Sequence, residues 1–358
     1  MKKIDLVVGA RPNFIKAFPV YRALEELGCF ELRLINTGQH YDDNMVAVFF
    51  EQLKMKEPDI NLGIGSGRHG EQTARILDEI EREFMSQKPD LVIVFGDVNS
   101  TLAAALAAVK LHIPVAHVEA GLRSFDRTMP EEINRVLTDQ ISDLLFLSSP
   151  EAEDNLFKEG KDKNQIHFVG NTMIDSLICF QPLFDSARIK DSFNFQDKEY
   201  ILITLHRPSN VDDPANLEQL IASLNRVAEI APCLWPVHPR SREKLETIRA
   251  KTHHRLVMTD PLGYLEFMGL QRDAAVVITD SGGIQEESTF LGIPCLTVRD
   301  NTERPVTIEQ GTNKLVGTEY SNIPAVVRET IVEKIEHKVP ELWDGDASGR
   351  IARVLSQW

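Results

Sequence analysis

The chain is short of the features that mark several protein classes. Its four cysteines, Cys29, Cys179, Cys233 and Cys295, are scattered, with no CxxC pair. That pattern sets aside a disulfide framework, and the thiols read as packed free side chains of a reducing compartment. Positive charge is scarce: 39 Lys and Arg against 54 Asp and Glu leave a net charge of −15. This balance argues against partners such as nucleic acid or an anionic membrane surface. It leaves room for a small anionic ligand in a local cationic pocket. No apolar run is long enough to span a bilayer. The opening MKKIDLVVGA breaks at Arg11-Pro12, so it reads as a first strand and not as a signal peptide, and the cytoplasm is the expected compartment. Repeats and low-complexity segments are missing. The first strand-to-helix turn, Gly9-Ala10-Arg11-Pro12, lacks the GxGxxG of a nicotinamide site. No DxD pair stands at a strand end, which favours acid–base chemistry over a metal site.

What the sequence does contain is ordinary globular composition and a regular alternation. It has 358 residues, 42% of them hydrophobic and 26% charged, which suits two soluble domains. Apolar, β-branched runs predict strands over Ile4–Gly9, Glu31–Asn36, Leu91–Phe95, Val115–Val118, Leu144–Leu147 and Ile166–Val169. Helices are expected over Phe14–Leu27, near Asp43–Leu53, and over Glu71–Ser86, Thr101–Leu111 and Glu131–Ile141, with a Gly-rich loop over Gly63–Gly70. A second series has strands at Tyr200–Leu205, Leu234–Val237, Leu256–Thr259, Ala274–Thr279 and Cys295–Val298. Its helices are expected over Leu217–Ile230, Arg242–Ala250 and Ile284–Leu291. The polar stretch Asp191–Asp197 reads as a linker within a boundary region of Asn171–Lys198. The expected division is residues 1–172 and 173–345, with the tail of about 346–358, a short helix from Gly349, packing back on the first domain. The fold class that follows is α/β, with two Rossmann-like, doubly wound domains facing a cleft.

The stretch Asp280–Ser288, DSGGIQEES, follows the run AAVVIT and opens a helix. Ser281, Gly282 and Gly283 form a tight turn whose N–H groups and helix dipole suit a phosphate or diphosphate. Glu287 lies one helical turn further on, where a carboxylate can take ribose hydroxyls. Other polar clusters also fall just after apolar strands: Arg11-Pro12-Asn13 with Lys16, Thr37-Gly38-Gln39-His40, Gly96-Asp97, His117–Arg123, His206-Arg207, His238-Pro239-Arg240 and Arg299–Pro305. Ligands of parallel sheets bind at such ends. Arg11, Lys16, Arg207 and Arg304 suit an anion of more than one charge. Asp97, Glu119 and Glu131 need another purpose near an anion, because carboxylates repel it. Neighbouring carboxylates push one another's pKa apart, which suits a proton donor beside a base. His206 or His238 can carry a further proton near neutral pH.

The ordered set GARPNFIK (9–16), TGQH (37–40), GDVNSTLA (96–103), HVEAGLRS (117–124), PEEINR (130–135), HR (206–207), PVHP (236–239), DSGGIQEE (280–287) and RDNTERP (299–305) resembles the non-hydrolysing UDP-N-acetylglucosamine 2-epimerases over essentially the whole chain. The resemblance implies a glycosyltransferase-B type fold, a homodimer, no metal or other cofactor, and a place in cell-surface polysaccharide synthesis. It implies interconversion of UDP-GlcNAc and UDP-ManNAc, by elimination of UDP to a bound 2-acetamidoglucal and re-addition. Asp97, Glu119, Glu131 and His206 would then act as catalytic residues. Arg11, Lys16, Arg207, His238, Ser281, Gly282, Gly283 and Arg304 would bind substrate, with Glu287 on the ribose. The segment Pro261–Phe267, including Leu262 and Phe267, would hold the uracil by backbone bonds and apolar contact. Gln39, Arg207 and His238 match residues of a second, allosteric UDP-GlcNAc site in the family, whereas Tyr41-Asp42-Asp43-Asn44 departs from its pattern. Asn13 stands where many members carry Glu, and the Arg-Pro-Asn form is shared with relatives acting on UDP-2,3-diacetamido uronic acids.

Overall fold

The computed structural model describes residues 1–39, 56–237, 242, 244–245, 252–333 and 336–358. The helices expected near Asp43–Leu53 and over most of Arg242–Ala250 lie outside these residues, as do His40 and His238. Among the described residues, no helix is long and apolar enough to cross a membrane. The chain divides into two compact units: Met1–Cys179 with Glu341–Trp358, and Phe180–Pro340.

The first unit is a seven-stranded, wholly parallel sheet of β1 (Lys2–Val8), β2 (Phe30–Asn36), β3 (Ile60–Asn61), β4 (Leu91–Phe95), β5 (Val115–Val118), β6 (Leu144–Leu147) and β7 (Ile166–Phe168). The strand order is β3-β2-β1-β4-β5-β6-β7. Its helices are α1 (Arg11–Leu27), α2 (His69–Ser86), α3 (Asn99–Lys110), α4 (Pro130–Ile141), α5 (Glu151–Lys158) and α6 (Thr172–Phe180). The central strand β4 reads LVIVF and is buried at every position, as a strand covered on both faces must be. Helix α2 turns Ile76, Ile80 and Phe84 inward, the i, i+4, i+8 stripe of an amphipathic helix.

Helix α1 starts at Arg11, three residues before the start expected from the apolar pattern. Pro12 is at home in a first turn, and the Asn13 side chain accepts the Ala10 N–H at 3.2 Å. Further along, Pro19 has no N–H to give the Ile15 carbonyl. The Ser176 hydroxyl of α6 donates to that carbonyl instead, at 2.5 Å.

The second unit repeats the plan with six parallel strands: β8 (Ile201–Thr204), β9 (Cys233–Pro236), β10 (Leu256–Thr259), β11 (Val276–Thr279), β12 (Cys295–Thr297) and β13 (Asn313–Leu315). Their order is β10-β9-β8-β11-β12-β13. Helices α7 (Ala187–Phe193), α8 (Pro208–Val211), α9 (Pro214–Ile230), α10 (Tyr264–Asp273), α11 (Gly282–Leu291), α12 (Val306–Glu309) and α13 (Ile323–Val332) surround it. The stretch Asp191–Asp197 is not a linker. Phe195 is buried in this unit's core and stacks on Tyr200 at 5.2 Å, with Phe193 packed beside it. The two phenylalanines outweigh the polar residues around them, because burying one aromatic side chain contributes about 1.5–3 kcal/mol.

The chain then returns to the first unit through α14 (Ala347–Gln357), which packs along α1. Asp175 of α6 accepts the N–H groups of Ala347 and Ser348, at 3.2 and 2.7 Å, and so caps α14. The Trp343 indole donates to the Ser148 carbonyl at 2.9 Å.

Candidate active site

In both units the strand order reverses beside a central pair, β1/β4 in the first and β8/β11 in the second. A crevice opens at the carboxyl ends of the strands flanking such a reversal. The polar clusters collect at these two points because every strand runs the same way.

In the first unit, β1 leads into Arg11, Asn13 and Lys16 of α1, β4 into Gly96-Asp97, and β5 into Glu119. Lys16 and Glu119 are both buried and form an ion pair. Glu119 has a left-handed backbone, φ 74°. That conformation is costly for a residue with a Cβ. Its N–H and that of Ala120 both donate to the Phe146 carbonyl at 3.0 Å, which holds the turn. Gly96 forms the floor beneath the pair. A Cβ on it would lie 3.2 Å from both Glu119 Oε2 and Lys16 Nζ, and its φ of 63° also favours glycine. Asn13 completes the group, donating from Nδ2 to the Phe95 carbonyl at 2.8 Å.

Asp97, next in the chain, is more open, with 28% of its side chain exposed, and it is ion-paired with buried Arg135 of α4. Arg135 also binds Glu132 at 2.5 Å. Glu131 sits half-buried in the first turn of α4. Its neighbour Glu132 is buried and accepts the N–H groups of Ser124 and Phe125, each at 2.9 Å. The adjacent glutamates therefore differ: Glu132 anchors the preceding loop, and Glu131 stays accessible. Arg11 is exposed at the start of α1, where the helix dipole is positive. A cation is poorly placed there unless an anion shares the site. Gln39 is buried, and its side-chain carbonyl accepts both the N–H and the hydroxyl of Ser100, at 3.1 and 2.7 Å.

In the second unit, Ser281 caps α11 with an extended backbone, so the helix starts at Gly282, two residues before the expected start. The first N–H groups of a helix have no intrahelical partner, and residues 281–284 are half-exposed. The Ser281 N–H itself is already engaged, donating to Thr279 Oγ1 at 3.0 Å. This corrects the expectation that all three turn N–H groups face a ligand. Behind the turn lies a buried charge cluster. Arg304 pairs with Glu286 at 3.0 Å and with Glu303, and Glu303 accepts from Arg299 at 2.7 Å. Two cations and two carboxylates balance there, which keeps Arg304 charged with little exposure. Glu287 is buried on α11. Leu262, Phe267 and Ile284 all pack against one core cluster of this unit. Phe267 lies within α10, and its N–H goes to the Gly263 carbonyl at 2.9 Å. Phe267 itself therefore offers a side chain and no backbone N–H.

Asp280 joins the two loops of this reversal and had no role assigned from sequence. Fully buried, it accepts the N–H of His206 at 3.0 Å, that of Arg207 at 2.8 Å and the Asn210 amide at 2.9 Å. Its other oxygen lies 3.3 Å from His206 Nδ1. The Arg207 Nε donates to the Asp280 carbonyl at 2.9 Å. Asp280→Ala is expected to destabilise this unit by about 3 kcal/mol or more, since hydrogen bonds to a charged group contribute about 1.5–3 kcal/mol each. Urea unfolding followed by Trp235 fluorescence measures this, and an unchanged midpoint would refute it.

Two parallel, doubly wound domains, each with anion donors or carboxylates at its strand-order reversal, define a nucleotide-sugar enzyme of the glycosyltransferase-B type. The family model of UDP-N-acetylglucosamine 2-epimerase matches residues 22–356, and the chain belongs to that family. It is 43% identical to the UDP-N-acetylglucosamine 2-epimerase of Methanocaldococcus jannaschii over 99% of both chains. It is 44% identical to the UDP-2,3-diacetamido-2,3-dideoxy-D-glucuronate 2-epimerase of Pseudomonas aeruginosa, again over 99% of both. The crystal structure of the Methanocaldococcus jannaschii UDP-GlcNAc 2-epimerase in complex with UDP-GlcNAc and UDP superposes with a TM-score of 0.93, covering 99% of this chain and 100% of that one.

Proposed function

We propose that this chain is an isomerase that interconverts UDP-GlcNAc and UDP-ManNAc by inverting C2 of the sugar. The reading rests on one observation above all. Two carboxylates meet at one strand-order reversal in different settings, Glu119 buried against Lys16 and Asp97 more open against Arg135. Inversion needs one group to take a proton and another to return it on the opposite face, and such a pair can divide the two tasks.

The C2 hydrogen of a pyranose is not acidic, so its loss must accompany departure of a good leaving group. As the C2–H bond breaks, its electron pair becomes the C1=C2 bond and the C1–O bond releases UDP. The second unit holds the nucleotide in this reading. The open N-terminus of α11 and Arg207 receive the diphosphate, and Arg304 supports the turn from behind, so charge growing on the leaving group meets fixed dipoles. Arg11 is a further substrate-binding cation. Glu287 takes the ribose, and Leu262 and Phe267 take the uracil. Asp97, Glu119, Glu131 and His206 serve the proton steps, with His206 oriented by Asp280. As part of the same reading, the enzyme works as a cytoplasmic homodimer without a cofactor, and its product feeds cell-surface polysaccharide synthesis.

Incubation with UDP-GlcNAc in D₂O tests the reading. NMR is expected to show UDP-ManNAc with deuterium at C2 and none at C1 or C3. Retention of the original C2 hydrogen would refute elimination, and release of free ManNAc would point to a hydrolysing enzyme. A second sugar is favoured by a specific observation: the diacetamido-glucuronate relative is as similar as the UDP-GlcNAc relative, at 44% and 43% identity. Comparing kcat/KM for the two UDP-sugars decides between them.

A further inference from the structure

The inference concerns His117 and rests on the reaction proposed above. His117 is fully buried on β5, opposite Val94 of β4. Its Nδ1 lies 2.6 Å from Asp139 Oδ1 and its Nε2 lies 2.7 Å from the Gly96 carbonyl oxygen. A carbonyl oxygen only accepts, so Nε2 carries a hydrogen. Asp139 is fully buried too. Its Oδ2 accepts the Gly121 N–H at 3.0 Å and lies 2.8 Å from Arg123 Nη2. These are partners of an ionised carboxylate. Burial raises the Asp139 pKa, but the His117 charge and hydrogen bond, followed by Arg123, outweigh it and hold the carboxyl below its ordinary range. Both ring nitrogens are therefore engaged, Nε2 as a donor to Gly96 and Nδ1 against Asp139.

Arg123 also binds Glu159 through two contacts of 2.8 and 2.6 Å. On the other side of Gly96 stand Lys16 and Glu119, and beyond it Asp97 with Arg135. Gly96 is thus held twice by β5: its N–H donates to the Val118 carbonyl at 3.0 Å, and its carbonyl accepts from His117.

We propose that His117 is a positioning residue, a buried imidazole held by Asp139 that clamps the Gly96-Asp97 turn and so sets Asp97 against the Lys16–Glu119 pair. It exchanges no proton with the substrate. Two measurements test this. The first is ring-nitrogen NMR on the full chain labelled with ¹⁵N-histidine, with His117→Gln used for assignment. Nε2 of His117 is expected to carry a hydrogen held in a hydrogen bond, and a bare Nε2 overturns the proposal. This readout involves no turnover, so it stands or falls separately from the reaction assigned above. The second is the kinetics of His117→Gln. Displacing a reacting group by about 1 Å costs about 10²-fold, so kcat is expected to fall about that much. The KM and the UDP affinity are expected to hold, and the pH profile of kcat to shift with the altered setting of Asp97. A merely structural histidine would reduce the amount of folded enzyme and leave that profile unchanged. Wild-type kcat, or an unshifted profile, overturns the proposal.

Discussion

Asp97→Asn is expected to lower kcat by about 10²–10⁴-fold while UDP binds as it does to the unaltered enzyme. The amide keeps the shape of the carboxylate and still offers an oxygen to Arg135, but it cannot take up and release a proton. Arg135 is buried but keeps its ion pair with Glu132, so the change does not strand it without a carboxylate. Glu119→Gln is expected to slow turnover by a similar factor. It is the less clean variant, because Lys16 and Glu119 are both buried, and removing one partner of a buried pair costs about 3–5 kcal/mol. Turnover followed by NMR, together with a UDP titration of each variant, separates chemistry from binding. Near-normal turnover by Asp97→Asn would remove Asp97 from the mechanism.

Gly282→Val is expected to weaken UDP binding by about 10²-fold or more. Each tenfold corresponds to about 1.4 kcal/mol, and hydrogen bonds to a charged group contribute about 1.5–3 kcal/mol each. The structure supplies two reasons. The side chain would cover the N-terminus of α11, and a Cβ on Gly282 would lie 2.4 Å from Arg304 Nη1 and 2.7 Å from Glu303 Oε1. The guanidinium would have to leave the two carboxylates that hold it. Gly282→Ala keeps the second effect and lessens the first, so the two variants together apportion the loss. Calorimetric titration with UDP reads both. If Gly282→Val bound UDP as tightly as the original chain, the diphosphate site would lie elsewhere.

Much of this site is visible in the order of residues. Asp97, Glu119, Ser281 and Gly282 each follow an apolar run that forms a strand, and a parallel arrangement carries all such residues to one edge of a sheet. Arg135 and Glu132 were less visible. They lie in a helical segment whose charged residues read equally well as a solvated face, and only their burial distinguishes them. The linker reading of Asp191–Asp197 failed because local polarity was weighed without the partners of Phe193 and Phe195. The short strands β3 and β13 escaped notice because a run of two or three residues carries no periodicity.

By itself, the sequence determined the α/β class, the division of polar residues among the strand ends, and the glycines at turns that tolerate no Cβ. These follow from local preferences and from the need to bury a strand on both faces. Only the tertiary structure decided which charges meet. Lys16 reaches Glu119 across 103 positions, Asp97 reaches Arg135 across 38, and His206 is bound by Asp280 across 74. Strand order sets such distances, and strand order is the outcome of packing the whole sheet. The same pairing settled which cations are exposed: Arg11 stands at a helix start, whereas Lys16 and Arg304 are buried against carboxylates. A buried charge must find its counter-charge wherever the fold brings one within reach, and no local pattern records that choice.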